Sequence, residues 1–475
     1  MDALDRRTRQ ITEGSILLAL LRLVGPVILS VTLQTSYQLV NTFWVGRLGA
    51  AAVAAVSITA PMTFFLVVLG SGLSIAGSIF VAQYSGARDP VMVNHVAAQT
   101  IVMVVCVSLV MSVIGVVSAD AALHVIGVPR EVQPLASSYL SVTYLGLIFS
   151  YGFMMFQSIL QGAGETRFPL YVVAVSVVLN AVLDPLLIFG WGPIAPHGVV
   201  GAAVATVISQ AFTAIVGVAV LFTGRYGIRV ARKDFAPDFP FVRRALMVGL
   251  PASIEQSTRT FGGIVLATIA ASFGTTSLAA YGLGARSMTL FFVPALALSS
   301  ATATVVGQNI GAGQTERAQR AAVASGWLAF GSLTVLGMLF YPVAAAVSRF
   351  LVPTDERVVE LAAQFMHVVA PALGIIAAQQ AMAGAFRGAG QTMTAMTISL
   401  LMQWSCQLPV SYLLAHYTSL GVAGIWWGFP IANTLALAAT LLWFRRGTWK
   451  YKTLTQGQVL TARAAIEAQV EEGAV

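Results

Sequence analysis

The sequence is poor in charged residues. Asp, Glu, Lys and Arg make up 9% of its 475 residues and hydrophobic residues make up 57%, whereas a soluble domain is roughly 25% charged. A chain of this length with so few polar groups cannot be a soluble protein. Its apolar runs are long enough to cross a ~30 Å hydrocarbon layer as helices, and they lack the alternating polar residues of an outer-membrane barrel. We therefore predict an all-α, polytopic membrane protein.

Cysteine and recognisable catalytic motifs are also scarce. Cys106 and Cys406 lie in apolar runs, which predicts two buried free thiols. His367 and His416 stand alone without metal-ligand spacing, so we interpret them as packing or hydrogen-bonded residues. Because there is no catalytic triad, metal cluster or nucleotide motif, we expect neither an enzyme nor a metal site, and any uphill transport would depend on an ion gradient.

Twelve apolar stretches predict twelve transmembrane helices, separated into two groups of six by the polar stretch 224–240. We therefore predict an amino-terminal lobe (1–223), a cytoplasmic linker (224–240), a carboxy-terminal lobe (241–444) and a cytoplasmic tail (445–475). The predicted spans are 15–40, 52–82, 92–118, 133–158, 168–190, 199–223, 241–271, 277–307, 317–346, 358–384, 394–415 and 421–444.

The two groups of helices repeat one another in sequence. Residues 82–87 (AQYSGA) correspond to 307–312 (GQNIGA) at an offset of 225, and 161–166 (QGAGET) correspond to 387–392 (RGAGQT) at 226. Because each half has six helices, both halves have the same orientation in the membrane. Such parallel repeats are typical of transporters, whose substrate site lies between or within the halves.

The distribution of basic residues predicts the topology. With the amino terminus inside, only four of the 26 Lys and Arg residues fall on the outer side: Arg47, Arg130, Arg349 and Arg357. By the positive-inside rule both termini are then cytoplasmic. The formal net charge of +8 is therefore an orientation signal, and we expect the partner to be a lipid bilayer and not nucleic acid.

Two carboxylates lie deep inside apolar helices, Asp184 and Glu255. A charge at such a position costs roughly 2.5–3.5 kcal/mol on insertion scales, so it indicates a functional site. Asn180 precedes Asp184 by one turn and shares its helix face, while Pro185 leaves the carbonyl of Ala181 without its usual donor. This group predicts a site for a proton or a hard ion such as Na⁺; the alternative is a carboxyl kept protonated for helix packing.

Glu255 is followed one turn later by Arg259, in the favourable order for an intrahelical ion pair. A neutralised structural pair and an alternative coupling site are equally compatible with this pattern.

The first helix carries a polar stripe. Gln34, Tyr37 and Asn41 share one face at spacings of three and four residues, which predicts either the lining of a polar cavity or hydrogen bonding between helices. Gln157 and Met154 on the fourth predicted helix are further candidates for cavity lining.

Glycine-rich pieces recur at 162–166, 311–315 and 388–392, with 85–87 at the fourth equivalent place. They lack a preceding strand and the Lys-Ser/Thr pair of a phosphate-binding loop. We interpret them as helix boundaries, in which Gly adopts the left-handed conformation and Thr caps the next helix.

Together these features resemble the multidrug and toxic compound extrusion (MATE) family of secondary transporters, especially its archaeal and bacterial members. The resemblance covers about residues 12–445. It rests on the twelve-helix repeat and on the motifs at 41–49 (NTFWVGRLG), 307–313 (GQNIGAG), 162–166 (GAGET) and 388–392 (GAGQT).

The resemblance implies two lobes, alternating access and exchange of H⁺ or Na⁺ for bulky, often cationic drugs. Asn180 and Asp184 resemble the polar cluster of the family's amino-terminal lobe. Asn41 departs from the pattern, because the members most similar to this chain usually have aspartate there. Three outcomes follow: Asp184 couples alone, Glu255 takes over, or the chain is locked in one state.

The leading hypothesis is a monomeric antiporter in the cell (inner) membrane that exports amphipathic, drug-like cations and uses no cofactor besides its coupling ion. Asp184, Asn180 and Asn41 form the coupling site in this hypothesis. A lipid-linked saccharide flippase of the same superfamily is the alternative within transport and would use Arg22, Arg259 and Arg286 to bind pyrophosphate. A receptor or scaffold without transport is the alternative outside it.

Overall fold

The computed structural model describes residues 3–193, 195–352, 355–451 and 454–455. Most of the predicted tail, 445–475, therefore lies outside the described residues. The helices are α1 (Ala3–Thr12), α2 (Ile16–Gly46), α3 (Ala50–Gly86), α4 (Pro90–Ile126), α5 (Gln133–Leu145), α6 (Leu147–Gly162), α7 (Arg167–Phe189), α8 (Gly198–Thr223), α9 (Phe239–Ala271), α10 (Thr275–Gly311), α11 (Thr315–Phe340), α12 (Ala344–Leu351), α13 (Glu356–Val369), α14 (Leu373–Gly388), α15 (Thr392–Leu400), α16 (Leu408–Tyr417) and α17 (Val422–Arg445).

Each predicted span coincides with one helix or with a run of consecutive helices, so the twelve-helix prediction is confirmed. In the described part of the chain, nine helical stretches are long and apolar enough to cross a membrane, and α5 with α6, bent by 47°, forms a tenth. The two remaining segments are α9, which carries Glu255 and Arg259, and α15 to α16, which are joined by the π-helical turn Leu401–Gln407. Charged residues and broken helices both reduce the hydropathy of a membrane segment.

The chain divides into two compact units. Unit 1 comprises Met1–Thr8 and Gly25–Ser253, and unit 2 comprises Arg9–Val24 and Ile254–Val475. The divisions within α2 and α9 fall close to Pro26 and Pro251, which lie inside these helices at corresponding points of the repeat. The predicted lobe boundaries, 1–223 and 241–444, stay a prediction.

The predicted linker 224–240 packs within unit 1. The Gln99 side-chain amide donates to the carbonyls of Asp234 and Ala236 at 2.8 and 2.6 Å, and His95 Nε2 lies 3.0 Å from Asp238 Oδ2. The buried Gln99 on α4 therefore provides hydrogen bonds to two backbone carbonyl groups of the linker. The composition of the linker predicts only that it is a loop.

The start of the chain, which precedes the first predicted span, forms α1. Within unit 1, Arg7 Nη2 lies 3.0 Å from Glu165 Oε2, and Arg7 Nη1 donates to the carbonyl of Tyr226 at 3.1 Å. A ten-residue polar helix is marginal in isolation, so tertiary contacts of this kind are what its formation needs.

One close helix contact occurs in both units. A Cβ atom added to Gly162 would lie 2.4 Å from the Ser78 carbonyl oxygen, and one added to Gly388 would lie 2.3 Å from that of Ala303. Glycine at these positions lets two membrane helices approach closely. The sequence repeat is thus also a repeat of backbone packing.

The glycine-rich pieces are helix boundaries, as predicted. Gly164, Gly313 and Gly390 have φ of 77°, 75° and 75° and follow α6, α10 and α14. This left-handed conformation carries a steric cost for side chains other than that of glycine.

The predicted threonine caps are wrong. Thr166 makes no side-chain cap bond; instead Glu165 Oε1 accepts from the amides of Arg167 and Phe168 at 2.9 and 3.1 Å. At the fourth boundary the left-handed residue is Arg88, with φ of 55°, and Asp89 caps α4. At the boundaries of α7 and α4 a carboxylate therefore accepts the amide hydrogen bonds, and a negative charge interacts favourably with the helix amino terminus.

The prediction of two buried thiols is also wrong. Both cysteines are free, but Cys106 is exposed and Cys406 is half-buried. Lipid is as apolar as a helix interface, so an apolar run does not distinguish the outward face of a membrane helix from its packed face.

Candidate functional site

Unit 1 brings together the three polar residues predicted to form a coupling site. Asp184 and Asn180 lie on α7 and are fully buried, and Asn41 on α2 is 8% exposed. Asn41 Nδ2 lies 3.4 Å from both carboxylate oxygens of Asp184, near the outer limit of a hydrogen bond. In the described residues Asp184 forms no ion pair, so its negative charge has no basic partner there.

Asn180 has an unusual environment. Its Nδ2 and Oδ1 atoms are both buried and have no hydrogen-bond partner among the described residues. An unpaired buried polar group costs about 1–3 kcal/mol, so such a group indicates a ligand, water or ion site.

A cavity of about 120 Å³ adjoins this cluster. Its volume is well below the roughly 300–1,000 Å³ of pockets for drug-sized ligands, so in this conformation it suits an ion or a few water molecules. The polar residues that line it are Gln34, Tyr37 and Gln38 on α2, Ser176 and Asn180 on α7, and Thr206, Ser209 and Gln210 on α8.

Of the four residues predicted to line a substrate cavity, two line this one. Tyr37 also makes a 2.6 Å hydrogen bond to Thr206 on α8, so this residue both lines the cavity and joins two helices. Gln157 and Met154 lie on α6, from which Phe153 reaches the cavity instead. The Gln157 Nε2 atom is buried without a partner in the described part of the chain.

Unit 2 gives its buried carboxylate the opposite setting. Glu255 on α9 is fully buried, and its Oε1 lies 3.0 Å from Arg259 Nη2 and 3.4 Å from Arg387 Nη1. Ser399 donates to the same oxygen at 3.4 Å. Glu255 thus forms an ion pair with Arg259, and this pair is part of a larger cluster with one negative and two positive charges.

Arg387 was missed as a site residue because it lies 132 positions from Glu255. One signal in the sequence was available: within the repeat, Arg387 occupies the position of Gln161. A charged residue that replaces an amide at one of two equivalent membrane positions requires a partner.

A second cavity, of about 180 Å³, lies within unit 2. Arg259 lines it together with the side-chain amides of Gln379, Gln380, Gln403, Gln407 and Asn433. Of the three arginines considered for pyrophosphate binding, only Arg259 lines this cavity; Arg22 and Arg286 are exposed.

Known proteins resemble the chain over most of its length. The "Probable multidrug resistance protein YoeA" of Bacillus subtilis (strain 168) is 28% identical over 91% of this chain and 94% of the relative. The "Probable multidrug resistance protein NorM" of Deinococcus radiodurans is 30% identical, with 88% and 92% covered.

A solved structure of a MOP superfamily transporter from Pyrococcus furiosus Vc1 (DSM3638) matches with a TM-score of 0.87 at 26% identity, over 93% of this chain and 98% of that one. For that transporter, reverse polarity of the binding pocket is said to suggest a different function.

The family assignment rests on both halves of the repeat. The MatE family model matches residues 26–186 and 251–413. The first match contains Asn41, Asn180 and Asp184, and the second contains Glu255, Arg259 and Arg387. The chain therefore belongs to the MatE family of multi-pass membrane transporters.

Proposed function

We propose that this protein is a secondary active multidrug efflux transporter that exchanges H⁺ or Na⁺ for amphipathic, mostly cationic compounds by alternating access. Membership of the MatE family and relatives named as multidrug resistance proteins support export of small molecules. On this proposal the protein acts in the cell membrane as a monomer, with both termini cytoplasmic, and moves solutes without catalysing a reaction.

The main support for this coupling site is that Asp184 has no basic side chain beside it in the described residues. This carboxylate is fully buried and has no ion-pair partner in the described residues, so a bound proton or cation is the group that neutralises it. The unpaired oxygen of Asn180 lies one turn away on the same helix face and is a suitable additional ligand for Na⁺.

Asn41 makes this site different from one with two carboxylates. Its amide donates toward Asp184 and so stabilises the charged, cation-binding form of that carboxylate. Asparagine itself releases no proton, so one carboxylate in this cluster carries the coupling charge. Coupling then requires that the ion and the drug bind the two states of the transporter with different affinities.

The test is flux of ethidium, a fluorescent cation, in proteoliposomes, with pH and Na⁺ gradients imposed separately. We expect one gradient to drive flux, and Asp184→Asn to reduce that flux at least about ten-fold, because the substituted amide cannot exchange a proton or attract a cation. Asp120→Asn is the matched control, since Asp120 is an exposed acid on α4.

Asn41→Asp separates the remaining possibilities. If the unchanged chain shows no gradient-driven ethidium flux and Asn41→Asp does, the coupling site is correct but needs a second carboxylate. If Asp184→Asn transports as well as the unchanged chain, Asp184 is not the coupling residue and the proposal for unit 1 is wrong.

A further inference from the structure

The cavity in unit 2 has a polar and aromatic lining but little room. At about 180 Å³ it is smaller than a pocket for a drug-sized molecule. Tyr281, Phe292 and Phe429 contribute aromatic surface, and Arg259 and Gln380 contribute polar groups. The combination suits a small organic molecule that has a ring at one end and a polar group at the other.

The charge facing this cavity is positive. Glu255 is fully buried and is not among the residues that line the cavity, whereas the Arg259 side chain is 23% exposed and does line it. With Arg387 beside Glu255, the cluster has a net charge of +1. A solute in the cavity therefore meets a guanidinium, and the carboxylate behind it is already neutralised.

Arg259 keeps donors available for a ligand. Its Nη2 atom makes both of its hydrogen bonds, to Glu255 Oε1 at 3.0 Å and to Gln380 Oε1 at 2.7 Å. In the described residues its Nε and Nη1 atoms make none, although a guanidinium has five N–H donors. The Gln380 Nε2 atom is also buried without an acceptor there, so two adjacent side chains both lack acceptors.

The backbone around the cavity is irregular. Met402, Gln403 and Gln407 all line it and all belong to the π-helical turn Leu401–Gln407 between α15 and α16. Such π-helical turns occur frequently at functional sites. Here the turn places the amides of Gln403 and Gln407 at the same cavity as Arg259.

We propose that the unit 2 cavity binds the carboxylate or phosphate group of a small aromatic anion through Arg259 and Gln380. Guanidinium groups bind both oxyanions through parallel hydrogen bonds, and the aromatic lining packs against the ring. The inference deepens the proposed function, on which it rests for its role in transport: it adds a site of opposite charge preference to the cation site of unit 1. Binding itself requires no gradient.

The experiment is equilibrium binding of three probes to the purified full-length chain in lipid nanodiscs. Benzoate and phenyl phosphate carry the two oxyanions, and benzylammonium carries a positive charge on the same ring. We expect at least one anion to bind and benzylammonium to be excluded from this cavity. The ratio of benzoate to phenyl phosphate affinity then identifies the preferred oxyanion.

Two variants with opposite expected effects separate ligand binding from misfolding. Arg259→Gln removes the guanidinium group. It should weaken anion binding about ten- to hundred-fold, because this is the affinity that hydrogen bonds to charged groups typically contribute. Glu255→Gln removes the competing acid and should tighten anion binding, whereas it would abolish a cation site at Glu255. Arg357→Gln, at an exposed arginine of α13, is the control and should bind as the unchanged chain does.

The inference is overturned if neither anion binds, if Arg259→Gln binds them as well as the unchanged chain, or if Glu255→Gln abolishes binding. Because these measurements use no gradient, they are independent of ethidium flux. If the unchanged chain binds the anions but shows no ethidium flux, only the proposed antiport is wrong. If it shows ethidium flux but binds neither anion, only this site is wrong.

Discussion

In the described part of the chain each unit has one acid that is fully buried inside an apolar helix, Asp184 in unit 1 and Glu255 in unit 2, and the two acids have opposite surroundings. In unit 1, Asp184 is accompanied by the amide of Asn41 and has no basic partner in the described residues. In unit 2, Glu255 is held by Arg259 and Arg387. The close helix contacts of Gly162 and Gly388 are common to both units, so the opposite charge of the two sites comes from side chains that differ between the units.

The comparison separates two roles of a buried charge. An acid with two arginines is already neutralised, so it stabilises a particular packing and leaves a positive surface. An acid without a basic partner remains open to exchange with an ion. Burial by itself therefore does not identify a coupling residue; the charge of its neighbours does.

Removing both arginines should convert Glu255 into a carboxylate without a partner, like Asp184. The double variant Arg259→Met/Arg387→Met should lose about 3–5 kcal/mol of unfolding free energy, the cost of leaving one buried charge unpaired. Unfolding in mixed SDS micelles measures this change. Adding Glu255→Met should restore much of the loss, since an apolar triad of similar volume is well tolerated.

The control for the double variant is Arg349→Met, which breaks the exposed pair of Arg349 with Glu356. It should leave the unfolding transition unchanged, since exposed ion pairs add little. A double variant as stable as this control would mean that Glu255 needs no neutralisation, and the contrast between the units would disappear.

Asn180→Leu should separate stability from activity in unit 1. Leucine removes two buried polar atoms that have no partner, so the unfolding free energy should rise by about 1 kcal/mol, while gradient-driven ethidium flux falls. In the control Asn309→Leu, also at a buried asparagine, the side chain donates to Val305 at 2.7 Å, so stability should fall. Full flux in Asn180→Leu would remove Asn180 from the site.

A third carboxylate, Asp238, lies outside the membrane spans. Its substitution should change the unfolding free energy less than the substitutions described above. The backbone amide of Phe241, followed in importance by His95, holds the pKa of Asp238 below its usual value, so Asp238 stabilises the fold above the ordinary pKa of aspartate. Its contribution is lost as pH falls through the lowered pKa of the folded state. Asp238→Asn should therefore cost about 1 kcal/mol, typical of a helix cap, at pH 7.

Unfolding midpoints at pH 7 and at about pH 2, below the ordinary aspartate pKa of about 3.9, test this prediction. The difference in unfolding midpoint between Asp238→Asn and the unchanged chain should become smaller as the pH is lowered. A difference that widens on acidification would have the wrong sign for a carboxylate with a lowered pKa.

The proximity of the polar residues of unit 1 could be predicted in part from sequence, because most of the cluster follows from local patterns. Asn180 and Asp184 share a face of one helix, and the polar stripe of α2 runs through Gln34, Tyr37 and Asn41. The contact of Asn41 with Asp184 required the family resemblance in addition, since it joins residues 143 positions apart. The unpaired state of Asn180 was not predictable, because it depends on every helix packed around it.

The sequence by itself determined the membrane environment, the twelve helical segments and their repetition, because length, hydropathy and glycine positions are local properties of the chain. Only the tertiary structure decided that Arg387 joins Glu255, that Arg259 faces a cavity, and that Cys106 is exposed. Lipid is as apolar as a helix interface, so hydropathy leaves the rotation of each helix open. Packing fixes that rotation, and with it the opposite charge of the two sites.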